Sequence, residues 1–181
     1  MKTTTTALIL STALMLGACV SQKTYNAEVQ KANTYQQLDS QLKGEVAADQ
    51  AQIQQLQGLV RVTLANGILF PEGGWELNAD GKATLSRLAP VLKTLTGQTI
   101  QIKGYTDNEP IGPALRQRFP TNVDLSKARA QSVANELVAG GVPASMISVM
   151  GFGEADPVAP NTTAQGRAKN RRVVMDVVEA K

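Results

Sequence analysis

Arg129 stands where an arginine is poorly suited. It falls in line with Leu125, Val133 and Leu137 at steps of four, so on a helix it shares a face with apolar side chains. A guanidinium held there is partly withdrawn from water and needs an anionic partner. It also lies in the first turn or two of that helix, where the macrodipole disfavours a cation. Two rules broken at one position mark a functional or strained site more often than an accident. The nearest candidate anion in the stretch 104–129 is Asp107, just after a strand-like run. One reading of the two is a plain structural salt bridge. Another uses Asp107 with Glu109 as the paired carboxylates of an envelope hydrolase, since glycosidases need two carboxyls about 5–10 Å apart across a cleft. Paired acids on a loop are more commonly just solvated.

Composition removes other chemistries. The 181 residues include no histidine, which excludes Ser-His-Asp and Cys-His catalysis and histidine-containing zinc sites. A single cysteine, Cys19, leaves no internal disulfide and no cysteine-rich metal site. Nothing in the sequence asks for a cofactor. At 43% hydrophobic and 4% aromatic, the chain can fill one aliphatic core with extensions to spare. A net charge of +3 without a concentrated basic face gives no reason to expect a nucleic-acid partner. The local run Arg167, Lys169, Arg171, Arg172 is better explained by packing at a strand end.

The elements that must position Asp107 and Arg129 follow from periodicity. Residues 59–65 read as a strand, then an Asn66-Gly67 turn and a short apolar segment. Asn78 can cap a helix carrying Leu85, Leu88, Leu92 and Leu95. Pro90 should kink that helix or shift its boundary. Residues 99–105 alternate as a strand that ends just before Asp107. A loop from Thr106 to about Val123 contains Pro110, Pro113 and Pro120, and its Arg116 and Arg118 read as solvated. Asp124 or Asn122 can cap the helix 125–139, which Gly140-Gly141 ends and Pro143 keeps from resuming. Residues 147–151 form a third strand, 166–170 a helical turn and 172–178 the last strand. The predicted order is β-α-β-α-β-(α)-β. One mixed sheet with helices packed on one face would bury the Leu and Val rows, an α+β fold.

Two further segments precede this domain. Residues 1–18 have a charged start at Lys2, a short apolar run and small residues at the end, the plan of a signal peptide too short to span a membrane well. In residues 22–58 a stripe of Tyr35, Leu38, Leu42, Val46, Ile53, Leu56 and Val60 recurs at helical steps. Gly44 and Gly58 weaken it. The stripe predicts either a partly helical tether or a coiled coil that buries it in a homo-oligomer or against an envelope protein. A continuous helix of this length would reach about 55 Å. The expected divisions are thus 1–18, 19–58 and 59–181.

Two resemblances sharpen these readings. Leu16-Gly17-Ala18-Cys19 resembles the bacterial lipobox. That implies cleavage before Cys19, lipidation of its sulfur and acylation of the new N-terminus, a palmitate-type membrane anchor. No Asp stands at Val20 or Ser21, so retention in the outer membrane is the implied default. Four ordered blocks then resemble the OmpA-like C-terminal domain, the peptidoglycan-binding module of outer-membrane porins, peptidoglycan-associated lipoproteins and flagellar stators. They are Gly104-Tyr105-Thr106-Asp107, Leu125 to Ala130, Gly151-Phe152-Gly153-Glu154 with Pro157, and Asn161-Thr162-Thr163 with Gly166 to Val173.

The resemblance implies a non-enzymatic wall-binding lipoprotein whose domain faces the periplasm. Its ligand would be the diaminopimelate of the peptidoglycan stem peptide, with Asp107 accepting from the ammonium and Arg129 forking onto the carboxylate. By the same resemblance Thr106, Asn122 and Arg171 also belong to the ligand site, whereas Asn170, Arg172 and Gly166 hold the domain together. Tyr105 replaces the family's usual histidine. The stretch Asp107 to Ile111 and the longer loop look like the stator branch. Stators carry a transmembrane helix, which the short leader here does not provide, and this argues against a motor role. The alternative is an envelope assembly lipoprotein in which the wall domain only anchors a partner-binding stalk.

Overall fold

The computed structural model describes residues 21–180; the expected signal peptide and lipidation site at Cys19 lie outside them. The described chain begins with α1 (Gln22–Gln41), α2 (Lys43–Ala47) and a hairpin of β1 (Ala51–Leu56) and β2 (Leu59–Ala65). It continues through α3 (Asn66–Leu69), α4 (Ala79–Leu92), β3 (Gln98–Tyr105), α5 (Pro113–Arg116) and α6 (Asn122–Ala139). A 3₁₀ turn leads into β4 (Ile147–Gly151), followed by α7 (Ala164–Asn170) and β5 (Arg172–Glu179). The strands form one mixed sheet in the order β1-β2-β5-β3-β4, with only β3 and β4 parallel. This is the expected α+β class. Among the described residues no helix is long and apolar enough to cross a membrane.

Strand alternation sorts the two faces. Val60, Val62 and Leu64 of β2, Ile100 and Ile102 of β3, and Val173, Met175 and Val177 of β5 are buried in one core with Leu85, Leu88 and Leu92 of α4 and Val133 and Leu137 of α6. The opposite face carries an ionic row. Asp176, 1% exposed, accepts from Arg61 at 2.7 and 2.8 Å and from Lys103 at 2.8 Å. Register explains the pairing, since Arg61 lies directly opposite Asp176.

Three expectations about the segments before β3 need correction. Residues 51–56 are a strand, not a continuation of the upstream helix. Gly58, at φ 82°, takes the left-handed conformation of the turn that pairs Leu56 with Leu59, and Asp49, at φ 56°, breaks the chain before β1. The helical stripe is real only in its first half, and it is buried within the same chain. Leu38 and Leu42 are 0% exposed and join the domain core. Arg87 of α4 reaches the carbonyl of Gln41 at 3.3 Å and pairs with Glu45, holding α1 and α2 to the domain. Finally, Asn66-Gly67 opens the short helix α3 instead of a turn. Pro90 sits near the end of α4, which stops at Leu92. There the missing N–H and the ring clash cost little of the remaining helix.

The seat of α6 depends on two glycines. Gly104 of β3 pairs with Gly151 of β4. A Cβ on Gly104 would lie 2.0 Å from the Ser126 carbonyl oxygen, and one on Gly151 would lie 2.4 Å from that of Val123. The first turns of α6 therefore rest on bare sheet backbone. Thr121, not Asn122 or Asp124, is the N-cap. Its side chain accepts from the Asp124 N–H, while the Asp124 carboxylate accepts from the Thr121 N–H at 3.0 Å, a capping box. With α6 starting at Asn122, Arg129 lies beyond the first turn, so burial dominates over the macrodipole there.

Candidate functional site

Asp107 follows β3 in a loop pinned at its start. The Thr106 N–H donates to the Gly153 carbonyl at 2.7 Å, and the Thr106 hydroxyl donates to the Asp107 carbonyl at 2.8 Å. Asp107 is 5% exposed. Its Oδ2 accepts from Arg171 Nη1 at 2.5 Å and its Oδ1 from the Glu109 N–H at 3.2 Å. The salt bridge considered between Asp107 and Arg129 does not form; Arg171 takes the carboxylate instead.

Arg129 is 4% exposed. Its Nε donates to the Gly74 carbonyl at 2.8 Å and its guanidinium lies 5.9 Å from the centre of the Phe70 ring. No carboxylate among the described residues comes within 4.0 Å of it. Burial pushes its pKa down from the usual guanidinium range to about 10. The Asp107 charge pulls it back up, and Arg171 pushes it further down. It is still a cation at neutral pH, and an underneutralised one.

Asp107, Arg129, Thr106, Asn122 and Arg171 all line one cleft of about 740 Å³. Asn122 Nδ2 donates to the Glu109 carbonyl at 3.1 Å and reaches Glu154 at 3.4 Å. Glu109 also pairs with Arg167 at 2.8 Å, so the loop after Asp107 is tied to both α6 and α7. Both acids of the hydrolase reading, Asp107 and Glu109, are thus held by arginines.

The long loop is structured. Ile111, Phe119 and Leu125 form a second small core with Trp75 and Leu115 against it. Trp75 and Phe119 meet edge to face at 5.1 Å, and Arg118 lies 4.7 Å over the indole, so Arg118 is not simply solvated. Arg116 donates to the Ile111 carbonyl at 3.0 Å. Ser132 donates to the Trp75 carbonyl at 2.7 Å, close to the Arg129–Gly74 bond. The 71–75 loop, the long loop and α6 are thereby locked together around Arg129. Asn66, Gly67 and Phe70 form a further wall that the periodicity of the sequence did not single out.

Residues expected to hold the domain together lie just outside the cleft. Asn170 is fully buried, accepting from the N–H groups of Val158 and Ala159 at 2.8 and 3.0 Å and donating to the Ala159 carbonyl at 2.8 Å. A Cβ on Gly166 would meet the Pro160 carbonyl oxygen at 1.9 Å. Arg172 lies 3.8 Å over the Tyr105 ring, which stacks on Phe152 at 5.1 Å. Tyr105 does not line the cleft.

One mixed five-stranded sheet thus carries a buried carboxylate and, among the described residues, an arginine without a carboxylate partner on a single cleft, and known proteins share its fold and sequence. The chain belongs to the OmpA family, whose profile matches residues 69–171. It is 38% identical to the probable lipoprotein YiaD of Escherichia coli over 62% of this chain and 48% of that protein. It is 37% identical to the peptidoglycan-binding protein ArfA of Mycobacterium tuberculosis over 65% of this chain and 34% of that one. The chain therefore spans half or less of the length of these two relatives. Among solved structures, the cell-wall anchor of the type VI secretion system of Pseudomonas aeruginosa superimposes with a TM-score of 0.70. That match has 32% identity and covers 80% of this chain and 97% of the anchor. A MotB-like protein from Desulfovibrio vulgaris gives 0.73 at 27% identity, over 84% and 95% of the two chains.

Proposed function

We propose that this protein is a lipid-anchored, non-enzymatic wall-binding protein that holds peptidoglycan through the diaminopimelate of its stem peptide. The observation that carries the reading is Arg129, buried, cationic and without a carboxylate partner, facing the same cleft as Asp107. A ligand carboxylate supplies the missing anion by a two-point fork, and the ligand ammonium adds to the donors on Asp107. Thr106 fixes the loop, Arg171 orients the Asp107 carboxylate and Asn122 closes the rim. Names of relatives that include a peptidoglycan-binding protein, an outer-membrane lipoprotein and a cell-wall anchor support the same reading. Cys19 carries the lipid, the domain faces the periplasm, and the outer membrane is tethered to the wall.

The test is sedimentation with purified sacculi. Wild-type protein should co-sediment, and Asp107→Ala and Arg129→Ala should stay in solution while retaining the wild-type circular dichroism spectrum. Folded variants that co-sediment like wild type would overturn the site assignment.

A further inference from the structure

The sheet has two ends, and the cleft belongs to one of them. Ala65 of β2 and Tyr105 of β3 both lie opposite Arg172 of β5. The cleft residues Asn66, Thr106 and Arg171 are their immediate neighbours in the chain. At the far end Gln98 of β3 lies opposite Glu179 of β5, and the Ala180 N–H donates to the Gly97 carbonyl at 2.9 Å. Helix α4 joins the two ends. Its N-cap Asn78 lines the cleft, and its C-cap Lys93 leads to Thr96 just before β3.

Helix α1 lies antiparallel to α4. The Gln41 carbonyl accepts from Arg87 at 3.3 Å, and Gln30 Nε2 donates to the Thr96 hydroxyl at 3.3 Å. Followed towards its N-terminus, α1 therefore leads away from the cleft. Burial of Lys31, Thr34, Leu38 and Leu42 fixes its second half to the domain. Residues 22–29 continue the same helix past Thr96 by about 12 Å at 1.5 Å per residue. Tyr25 and Val29 there are 59% and 41% exposed, as suits a stretch with no domain beneath it. No flexible linker precedes the helix within the described residues. Ser21 caps it, accepting from the Thr24 N–H at 3.2 Å. Cys19 stands two positions upstream, at most about 7 Å of chain.

We infer that α1 is a rigid strut that carries the membrane anchor at the far end of the domain and turns the cleft away from the bilayer. This rests on the reading of Cys19 as the lipid-bearing residue. A flexible tether would keep the domain near the membrane and leave its orientation free. A helix continuous with the core, entered directly from the anchor, sets orientation as well as distance. The partner surfaces are thereby divided: lipid at the start of α1, wall polymer at the opposite end of the sheet.

Energy transfer on vesicles tests it. The full chain is produced with its lipid and added to preformed vesicles of phosphatidylethanolamine and phosphatidylglycerol that carry an acceptor on their headgroups. Cys19 is the sole cysteine and its sulfur is taken by the lipid, so one introduced cysteine receives the donor. Lys93→Cys marks the far end and Glu72→Cys the cleft rim, both at exposed positions. The label at 72 should lie about 20 Å farther from the bilayer than the label at 93, roughly the length of α4. A Gly-Ser linker of about twelve residues, spanning roughly 19 Å, inserted between Val20 and Ser21 should abolish that difference while leaving the Ser21 cap in place. Equal distances for the two labels in acylated protein, or a difference that survives the linker, would overturn the inference and leave the anchor reading standing. Membrane-fraction protein whose mass shows no acyl chains would overturn the anchor reading, and this inference with it.

Discussion

Asp107 and Arg129 share a cleft without pairing: the carboxylate is held by Arg171 at 2.5 Å, and the guanidinium's Nε bonds the Gly74 carbonyl at 2.8 Å. Each is fixed by a third group and keeps capacity for a ligand. A direct salt bridge would have filled the gap that a ligand needs. The protein instead tolerates a buried cation with incomplete compensation, which costs stability in the free state.

Replacing Arg129 therefore separates stability from binding. Arg129→Lys keeps the charge and loses the planar fork, so affinity for the stem peptide should fall roughly 10–100-fold, about 1.5–3 kcal/mol, as expected for hydrogen bonds to charged groups. Arg129→Met fills a similar volume without the charge. Urea denaturation of the ligand-free Met variant should show stability equal to or up to about 1 kcal/mol above wild type. A loss of several kcal/mol would mean that the guanidinium is primarily a structural group.

The glycine pair under α6 makes a second prediction. Gly104→Ala would force β3 and α6 apart, because backbone atoms stand 2.0 Å from the new Cβ. Overpacking of this kind costs about 1–3 kcal/mol, a fall in Tm of roughly 5–10 °C for a chain of this size. Since α6 carries Arg129, ligand affinity should fall with it. Gly44→Ala is the control: its Cβ meets nothing, and it should leave Tm unchanged or slightly higher.

Asp176 gives the fold its pH dependence. Burial pushes its carboxyl up, but hydrogen bonds and charge from Arg61 and Lys103 outweigh this and hold it below the usual 3.8. A depressed folded-state pKa contributes stability above the unfolded value that disappears as pH falls through the folded one. Asp176→Asn should cost about 2–4 kcal/mol at pH 7, at the low end for a broken buried pair because Arg61 is 36% exposed. The gap between variant and wild type should narrow below about pH 4. A gap constant from pH 7 to pH 3 would show that packing, not charge, is lost.

The candidate site was more legible in the sequence than the beginning of the domain. Arg129 was visible because a cation on an apolar stripe violates a local rule, and Asp107 because it ends an alternating strand. Arg171 as the partner of Asp107 was not visible as such, since it is 64 residues away and only the sheet order brings β5 next to β3. Asn66 was concealed in a dipeptide with strong turn propensity that tertiary packing turned into helix. The strand at 51–56 was missed because Ile53, Leu56 and Val60 happen to continue the helical spacing of Leu38 and Leu42. Gly58, just before the strand at 59–65, is the signal for a hairpin. Trp75, Phe119 and Arg118 come from separate loops, and loop-to-loop packing has no periodicity to read.

The boundary expected at residue 59 gives the last prediction. Residues 38 and 42 are leucines with no exposure, and β1 covers the edge of β2. Removing everything before residue 59 strips two leucines from the core, at about 1.5–3 kcal/mol each, and one strand from the sheet. Domains of this kind have only about 5–15 kcal/mol to lose. A fragment of residues 59–181 should melt about 10 °C or more below one of residues 21–181, by circular dichroism at matched concentration. Leu38→Ala with Leu42→Ala in the longer fragment should reproduce much of that fall. Equal melting of the two fragments would return residues 21–58 to the role of a passive tether.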